Sequence, residues 1–286
     1  MRTTIILSMV AGLAVGLLGT GCGGSSADSS SGKRTVAASF YPLAFAAEQV
    51  GGAGVEVENL TPTGAEPHDL EVSPKDVTRL RDADLVLLLG RDFQPQLEEA
   101  AGGGERVIRV LDTPALGVHA NGDPHVWLDP LRFGVVVRRI GEALGMPRRA
   151  ATLIARLGRL DQTYRDGLSD CRRHEIVTSH EAFAYLAERY SLRQIAITGL
   201  SPEAEPTPRE LERVVGLVRR TGATTIFFET LVSPRIAETV ARETGARTAV
   251  LNPIEGLTDA QADAGDDYFS LMRANLAALR SALGCR

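Results

Sequence analysis

Three histidines constrain this chain more than any other feature. His68 stands in Glu66-Pro67-His68-Asp69, His125 in Asp123-Pro124-His125-Val126-Trp127-Leu128-Asp129-Pro130, and His180 in Thr178-Ser179-His180-Glu181-Ala182-Phe183. Each sits where a strand or loop ends and a new element begins. They are widely separated in sequence, so only a tertiary fold can gather them. The chain has five histidines, and three of them fall at such junctions. Neutral imidazole is the commonest ligand for divalent zinc, and three imidazoles with one carboxylate complete a tetrahedral shell.

The rest of the pattern supplies a fold that can do this. Asp84-Leu85-Val86-Leu87-Leu88-Leu89, closed by Gly90, is a continuous apolar run that suits a parallel strand buried on both faces. Strands over residues 35–40, 55–60, 84–89 and 106–110 alternate with helices over 41–50, 74–82 and 95–101. Ser73-Pro74 is a helix start, serine capping and proline suiting the first turn. Helices over 130–144 and 148–169 follow, the second with an apolar stripe of Leu153, Leu157 and Leu160 among several arginines. The alternation then resumes, with strands over 175–178, 194–198, 225–229 and 248–251 and helices over 182–190, 208–221, 234–244 and 264–283. Thr207 and Glu210 form a capping-box pattern. The expected fold class is α/β: two lobes, each with a mostly parallel sheet flanked by helices, joined by a long rigid bridging helix. The lobes take residues 34–146 and 171–286, and the bridge takes 147–170. Such folds bind ligands at the carboxyl ends of their strands and between lobes, where His68, His125 and His180 all fall.

Composition narrows the class. A chain of 286 residues has room for two ordinary domains, and 44% hydrophobic with 23% charged residues is typical of soluble globular proteins. A net charge of −5, 5% aromatics and no basic patch interleaved with aromatics argue against nucleic acid as a partner. Residues 1–22 read as an export signal: Arg2 is the positive start, residues 5–18 are apolar, and the stretch is too short and glycine-rich for a good membrane span. Leu18-Gly19-Thr20-Gly21-Cys22 resembles a bacterial lipoprotein signal, with Cys22 as the lipidated residue. Residues 23–33, rich in glycine and serine, read as a flexible tether. An oxidising compartment permits a disulfide, and Cys171 with Cys285 is then the expected pair, against the alternative of two free thiols.

A closed metal site needs a fourth ligand. Glu255, in Asn252-Pro253-Ile254-Glu255-Gly256, lies just after the last strand, and Gly256 would let the backbone turn tightly. Asp259 is the alternative, although a helix cap or solvated carboxylate also explains it. His119, in Val118-His119-Ala120-Asn121-Gly122, reads as an exposed loop residue. His174, among Arg172, Arg173 and Glu175, reads as surface.

The ordered set Glu66-Pro67-His68-Asp69-Leu70-Glu71, Ala83-Asp84-Leu85-Val86, the His125 and His180 motifs, Glu203-Ala204-Glu205-Pro206-Thr207-Pro208 and Tyr268-Phe269-Ser270-Leu271-Met272-Arg273-Ala274-Asn275-Leu276 resembles the metal-binding substrate-binding lipoproteins of zinc and manganese ABC importers. The resemblance covers nearly the whole mature chain. It implies two α/β lobes with one metal held between them, with His68, His125, His180 and Glu255 as ligands. Manganese members of that family place a carboxylate where His180 stands, and three imidazoles favour zinc over manganese. Zinc members often carry a long His/Asp-rich loop before the second histidine, which here shrinks to residues 118–122.

The function implied is a monomeric, non-catalytic zinc receptor. It would be anchored through Cys22 to the outer face of the cytoplasmic membrane and deliver Zn²⁺ to an ABC permease. The alternatives are an extracellular zinc-binding adhesin or storage protein, and a zinc hydrolase in which Glu255 is a base. No nucleophile elbow or His-Glu-x-x-His helix supports the hydrolase.

Overall fold

The apolar segment that ends at Gly90 becomes a central strand of a parallel sheet. The computed structural model describes residues 32–286; the export signal, Cys22 and most of the tether lie outside the described residues. The first half runs β1 (Arg34–Ala38), α1 (Tyr41–Gly51), β2 (Val55–Asn59), α2 (Pro74–Asp82), β3 (Leu85–Leu88), α3 (Pro95–Ala101) and β4 (Val107–Arg109). All its strand pairs are parallel, in the order β2-β1-β3-β4. β3 is buried along its whole length, as a strand covered on both faces must be.

Two helices follow, α4 (Pro130–Leu144) and α5 (Pro147–Leu168). Asp129 caps α4 by accepting from the backbone N–H groups of Leu131 and Arg132. α5 is 22 residues long and packs Leu153, Leu157, Leu160 and Tyr164 inward. It packs against α1 and α4 and against the C-terminal helix. The Tyr164 hydroxyl donates to the Met272 carbonyl at 2.6 Å, which fixes that second contact.

The second half repeats the first: β5 (Glu175–Thr178), α6 (Ala184–Arg189), β6 (Arg193–Ala196), α7 (Pro208–Thr221), β7 (Thr225–Phe228), α8 (Arg235–Thr244) and β8 (Arg247–Val250). Its sheet is parallel in the order β6-β5-β7-β8, so β5 occupies the place that β1 holds in the first sheet. The Thr207–Glu210 capping box forms, and Gly222 ends α7 with φ 65°. Among the described residues no helix is long and apolar enough to cross a membrane.

The chain departs from expectation near its end. A closing helix over 264–283 was expected; α10 (Tyr268–Leu283) starts four residues later, and a short α9 (Asp259–Asp263) precedes it. Gly265, at φ 73°, breaks the run. Asp267 then starts α10 afresh, accepting from the backbone N–H of Ser270 at 2.8 Å. Asp259 caps nothing: Thr258 is the cap of α9, and Asp259 is its exposed first residue.

Cys171 and Cys285 are bonded, closing a sequence separation of 114 residues. The bridge holds the end of α10 to the segment after α5, together with hydrogen bonds from Arg286 N–H to Asp170 O and Arg173 N–H to Leu283 O. A crosslink of this span removes unfolded-state entropy worth about 2–5 kcal/mol. Replacing both cysteines by serine should lower stability by that amount in urea unfolding. An unchanged midpoint would show that the two hydrogen bonds hold the terminus alone.

Candidate metal centre

Each side chain expected at the site arrives from a loop at the carboxyl end of a strand. His68 follows β2, His125 follows β4, His180 stands two residues beyond β5, and Glu255 follows β8. Parallel strands end at one edge of their sheet, so loops far apart in sequence converge there. One ligand atom from each of these residues lies within 4.8 Å of the others, the arrangement needed to hold a metal ion. Asp259, the alternative fourth ligand, is outside this group and exposed.

The spacings around Glu255 Oε1 are close to those of a tetrahedral shell. His125 Nε2 lies 3.0 Å from Glu255 Oε1, His68 Nε2 3.4 Å and His180 Nε2 3.5 Å from the same oxygen. The Nε2 atoms of His125 and His180 are 3.3 Å apart. A tetrahedron with bonds of about 2.0–2.1 Å has edges of about 3.3 Å. His125, His180 and Glu255 are buried, while the His68 side chain keeps 12% of its surface exposed and is the one that meets solvent. Phe93 meets the His68 ring edge-on at 4.5 Å, and Trp127 lies 5.2 Å from the His125 ring.

The Glu255 loop is held against its own backbone preference. Ile254 has φ 59°, a conformation a β-branched residue rarely takes and one that costs on the order of 1–3 kcal/mol. It persists because its neighbours leave no alternative. Asn252 Oδ1 accepts from Ile254 N–H at 2.7 Å, Asn275 accepts from Asn252 N–H and donates to its carbonyl, and Trp127 Nε1 donates to Pro253 O at 2.7 Å. Gly256 serves differently from the expected turn. A Cβ there would sit 3.2 Å from Leu231 and 3.5 Å from the Ala65 carbonyl, so its value is close approach to the loop that carries His68. Gly64 N–H donates to Leu257 O beside it at 2.8 Å.

Carboxylates behind the imidazoles fix their orientation. Asp123 Oδ1 is 2.7 Å from His125 Nδ1, and Glu229 Oε1 is 2.6 Å from His180 Nδ1. Both rings thus present Nε2 to the centre, and the carboxylates raise their basicity. The sequence reading gave neither residue a role. Asp123 stood inside a quoted motif, and Glu229 carried the same positional signal as the histidines, since it directly follows β7.

Carboxylates around the centre oppose the effect of burial on the imidazoles. Burial disfavours a cation on His180, but Glu229 and Glu255 outweigh it and push the ring up to about 10. Burial opposes the His125 cation too, and Asp123 and Glu255 again prevail, raising its pKa. Burial alone would favour neutral Glu255, yet His125, His180 and His68 hold its carboxyl well below the usual range. Glu66 goes the other way: burial and the Glu255 charge push it up to about 9.

A further set of contacts ties the His125 loop to α6. Tyr185 donates its hydroxyl to the Asp123 carbonyl and accepts from His119 N–H, both at 2.9 Å. His119 is not simply exposed: it stacks on Tyr185 at 3.9 Å and its Nε2 lies 2.9 Å from Glu188. His174 is at the surface, as expected.

The family model of the periplasmic zinc-uptake complex component A matches residues 36–282. The high-affinity zinc uptake system protein ZnuA of Bacillus subtilis (strain 168) is 33% identical over 301 residues, which cover 93% of this chain and 94% of that protein. The zinc-binding lipoprotein AdcA of Streptococcus pneumoniae serotype 4 is 36% identical over 278 residues, covering 87% of this chain. The chain spans about half the length of AdcA, 56%. The crystal structure of the Zn(II)-bound ZnuA-like domain of S. pneumoniae AdcA superposes with a TM-score of 0.76 at 35% identity, over 88% of this chain and 99% of that one.

Two outcomes follow for a metal titration. Removing the carboxylate behind a ligand typically costs 10–100-fold in metal affinity. Glu229→Gln should therefore weaken zinc binding about that much in competition with a chelating dye, and Asp123→Asn likewise. Because His180, pushed up to about 10, holds its proton at neutral pH, a metal must displace it. Calorimetry in buffers of different ionisation enthalpy should show about one proton released per zinc at pH 7. Affinity should accordingly rise with pH from 6 to 8; a flat profile would mean the rings are already neutral.

Proposed function

We propose that this chain, which belongs to the family of the periplasmic zinc-uptake complex component A, is an exported receptor that binds one Zn²⁺ and delivers it to the permease of an ABC importer. The observation that carries this reading is the meeting of His68, His125, His180 and Glu255 within 4.8 Å, from loops of both sheets. Three imidazoles and one carboxylate suit a borderline-soft ion and disfavour manganese, which prefers oxygen ligands. Four protein donors fill a tetrahedron, which suits a cargo site; a zinc hydrolase keeps one position open for water.

In this reading residues 34–146 and 171–286 are the lobes and 147–170 the bridge. His68 and His125 come from one lobe, His180 and Glu255 from the other. The metal ties the lobes together, and its binding stabilises the folded chain by linkage. Uptake proceeds from the His68 side, where the centre meets solvent. Release requires the ligands to separate or to take up protons, and the basic His180 makes protonation effective near neutral pH. Lipid on Cys22 anchors the receptor at the outer face of the cytoplasmic membrane, where the permease lies, as the lipoprotein name of the AdcA relative supports.

Zinc titration of the mature chain with manganese as competitor tests the reading. One tightly bound zinc, not displaced by excess manganese, is the expected result. His125→Ala and Glu255→Ala should each weaken it more than about a hundredfold, beyond the loss of an outer partner, while Asp259→Ala should leave it unchanged. Preferential manganese binding, or an effect of Asp259→Ala in place of Glu255→Ala, would overturn the assignment.

A further inference from the structure

The metal centre makes no use of the arginines on the bridging helix. The chain has a net charge of −5, yet α4 and α5 carry eight arginines against three carboxylates, Glu142, Asp161 and Asp166. Ion pairs on these helices fall on Arg132, Arg139 and Arg165. Among the described residues none falls on Arg149, Arg156, Arg159 or, from α10, Arg273.

These four arginines share one surface. Arg149, Thr152, Arg156, Arg159 and Thr163 recur at intervals of three and four residues, so they line one side of α5, while Leu153, Leu157 and Tyr164 face the core. Two adjoining hollows run along this side. Gln49, Arg149, Thr152 and Arg156 bound the first, and Arg156, Arg159, Thr163, Phe269 and Arg273 the second. Arg156 belongs to both, and its guanidinium sits 4.2 Å from the centre of the Phe269 ring. The result is a continuous cationic strip with apolar carbon between its charges.

The strip starts where the described chain starts. Arg34, the first residue of β1, donates Nη1 to the Ala143 carbonyl in the last turn of α4 at 2.9 Å. Arg149 Nε donates to Val50 O at 2.5 Å, one residue before the end of α1. β1 begins at the amino edge of its sheet, opposite the edge where the metal ligands meet. The eleven residues that follow Cys22, up to Lys33, can span at most about 40 Å, and α5 is itself about 33 Å long. A lipid on Cys22 therefore keeps the whole strip within reach of the bilayer surface.

We propose that the strip formed by Arg149, Arg156, Arg159 and Arg273 docks on the anionic phospholipid surface to which the receptor is tethered. This rests on the reading of Cys22 as a lipid anchor. Clustered arginines near an anionic leaflet each strengthen attachment about fivefold, and a single acyl chain needs such a second signal to hold firmly. The apolar arginine stems rest against the headgroup layer while the guanidinium groups meet phosphates, and the buried Phe269 ring supports Arg156 from beneath.

Vesicle sedimentation tests the strip separately from the anchor. The mature chain carrying Cys22→Ala, and hence no lipid, is mixed with vesicles of phosphatidylcholine alone or with one-third phosphatidylglycerol, at low and physiological salt. The expected result is binding only to the anionic vesicles, weakening as salt rises. The triple variant R156Q/R159Q/R273Q should bind about a hundredfold more weakly. R209Q/R213Q/R220Q removes the same charge from α7 and should bind as before. Zinc affinity unchanged in both triples shows that each remains folded. Absence of binding to anionic vesicles at low salt, or equal loss in the two triples, would overturn the proposal. Metabolic labelling of the unmodified chain with a radioactive fatty acid decides the anchor on its own.

Discussion

A carboxylate with 1% of its surface exposed stands at the centre of this structure. An ion placed so deep costs several kcal/mol unless it is paired and hydrogen-bonded. Glu255 is accommodated because His68, His125 and His180 all point Nε2 at its Oε1. Those rings come from loops of two different sheets, so the charge can be buried only when both halves of the chain are in place. The same balance explains why the site suits a metal. A dication brought among the four donors replaces the proton that the raised His180 ring holds and takes over as counter-charge to Glu255.

Rigidity around the centre comes from contacts that cross between the halves. Trp127, next but one to His125, donates to the carbonyl of Pro253 in the Glu255 loop, and Tyr268 donates back to the Trp127 carbonyl at 2.6 Å. Gly256 lets that loop lie against the one carrying His68. The left-handed Ile254 is the local cost of aiming Glu255 inward, and the Asn252–Asn275 pair offsets it. A centre built this way changes its ligand geometry by shifting packed loops a short distance. A wide hinge would require breaking the Trp127 and Tyr268 contacts as well.

Much of this was legible in the sequence, because the signals were strong and local. A buried parallel strand must be apolar throughout, and residues 85–89 are; a helix start needs a cap, and Ser73 and Thr207 supply one. The positions of His68, His125, His180 and Glu255 after strands were readable for the same reason. Where the reading fell short, the determinant was tertiary. Asp123 and Glu229 are ordinary acidic residues until the fold places them behind imidazoles. The strain at Ile254 cannot be read from a residue type that normally avoids it. His119 looked like a solvated loop residue because Tyr185 and Glu188, which hold it, lie more than sixty positions away. The last helix starts at residue 268 and not at 264 because Gly265 takes a left-handed turn and Asp267 caps the helix afresh.

X-ray absorption at the zinc edge of the metal-loaded mature chain tests the central claim most directly. The account predicts one zinc in a four-coordinate shell of three imidazole nitrogens and one carboxylate oxygen, all at about 2.0–2.2 Å, with no sulfur. Fewer than three imidazoles, or a sulfur scatterer near 2.3 Å, would contradict it.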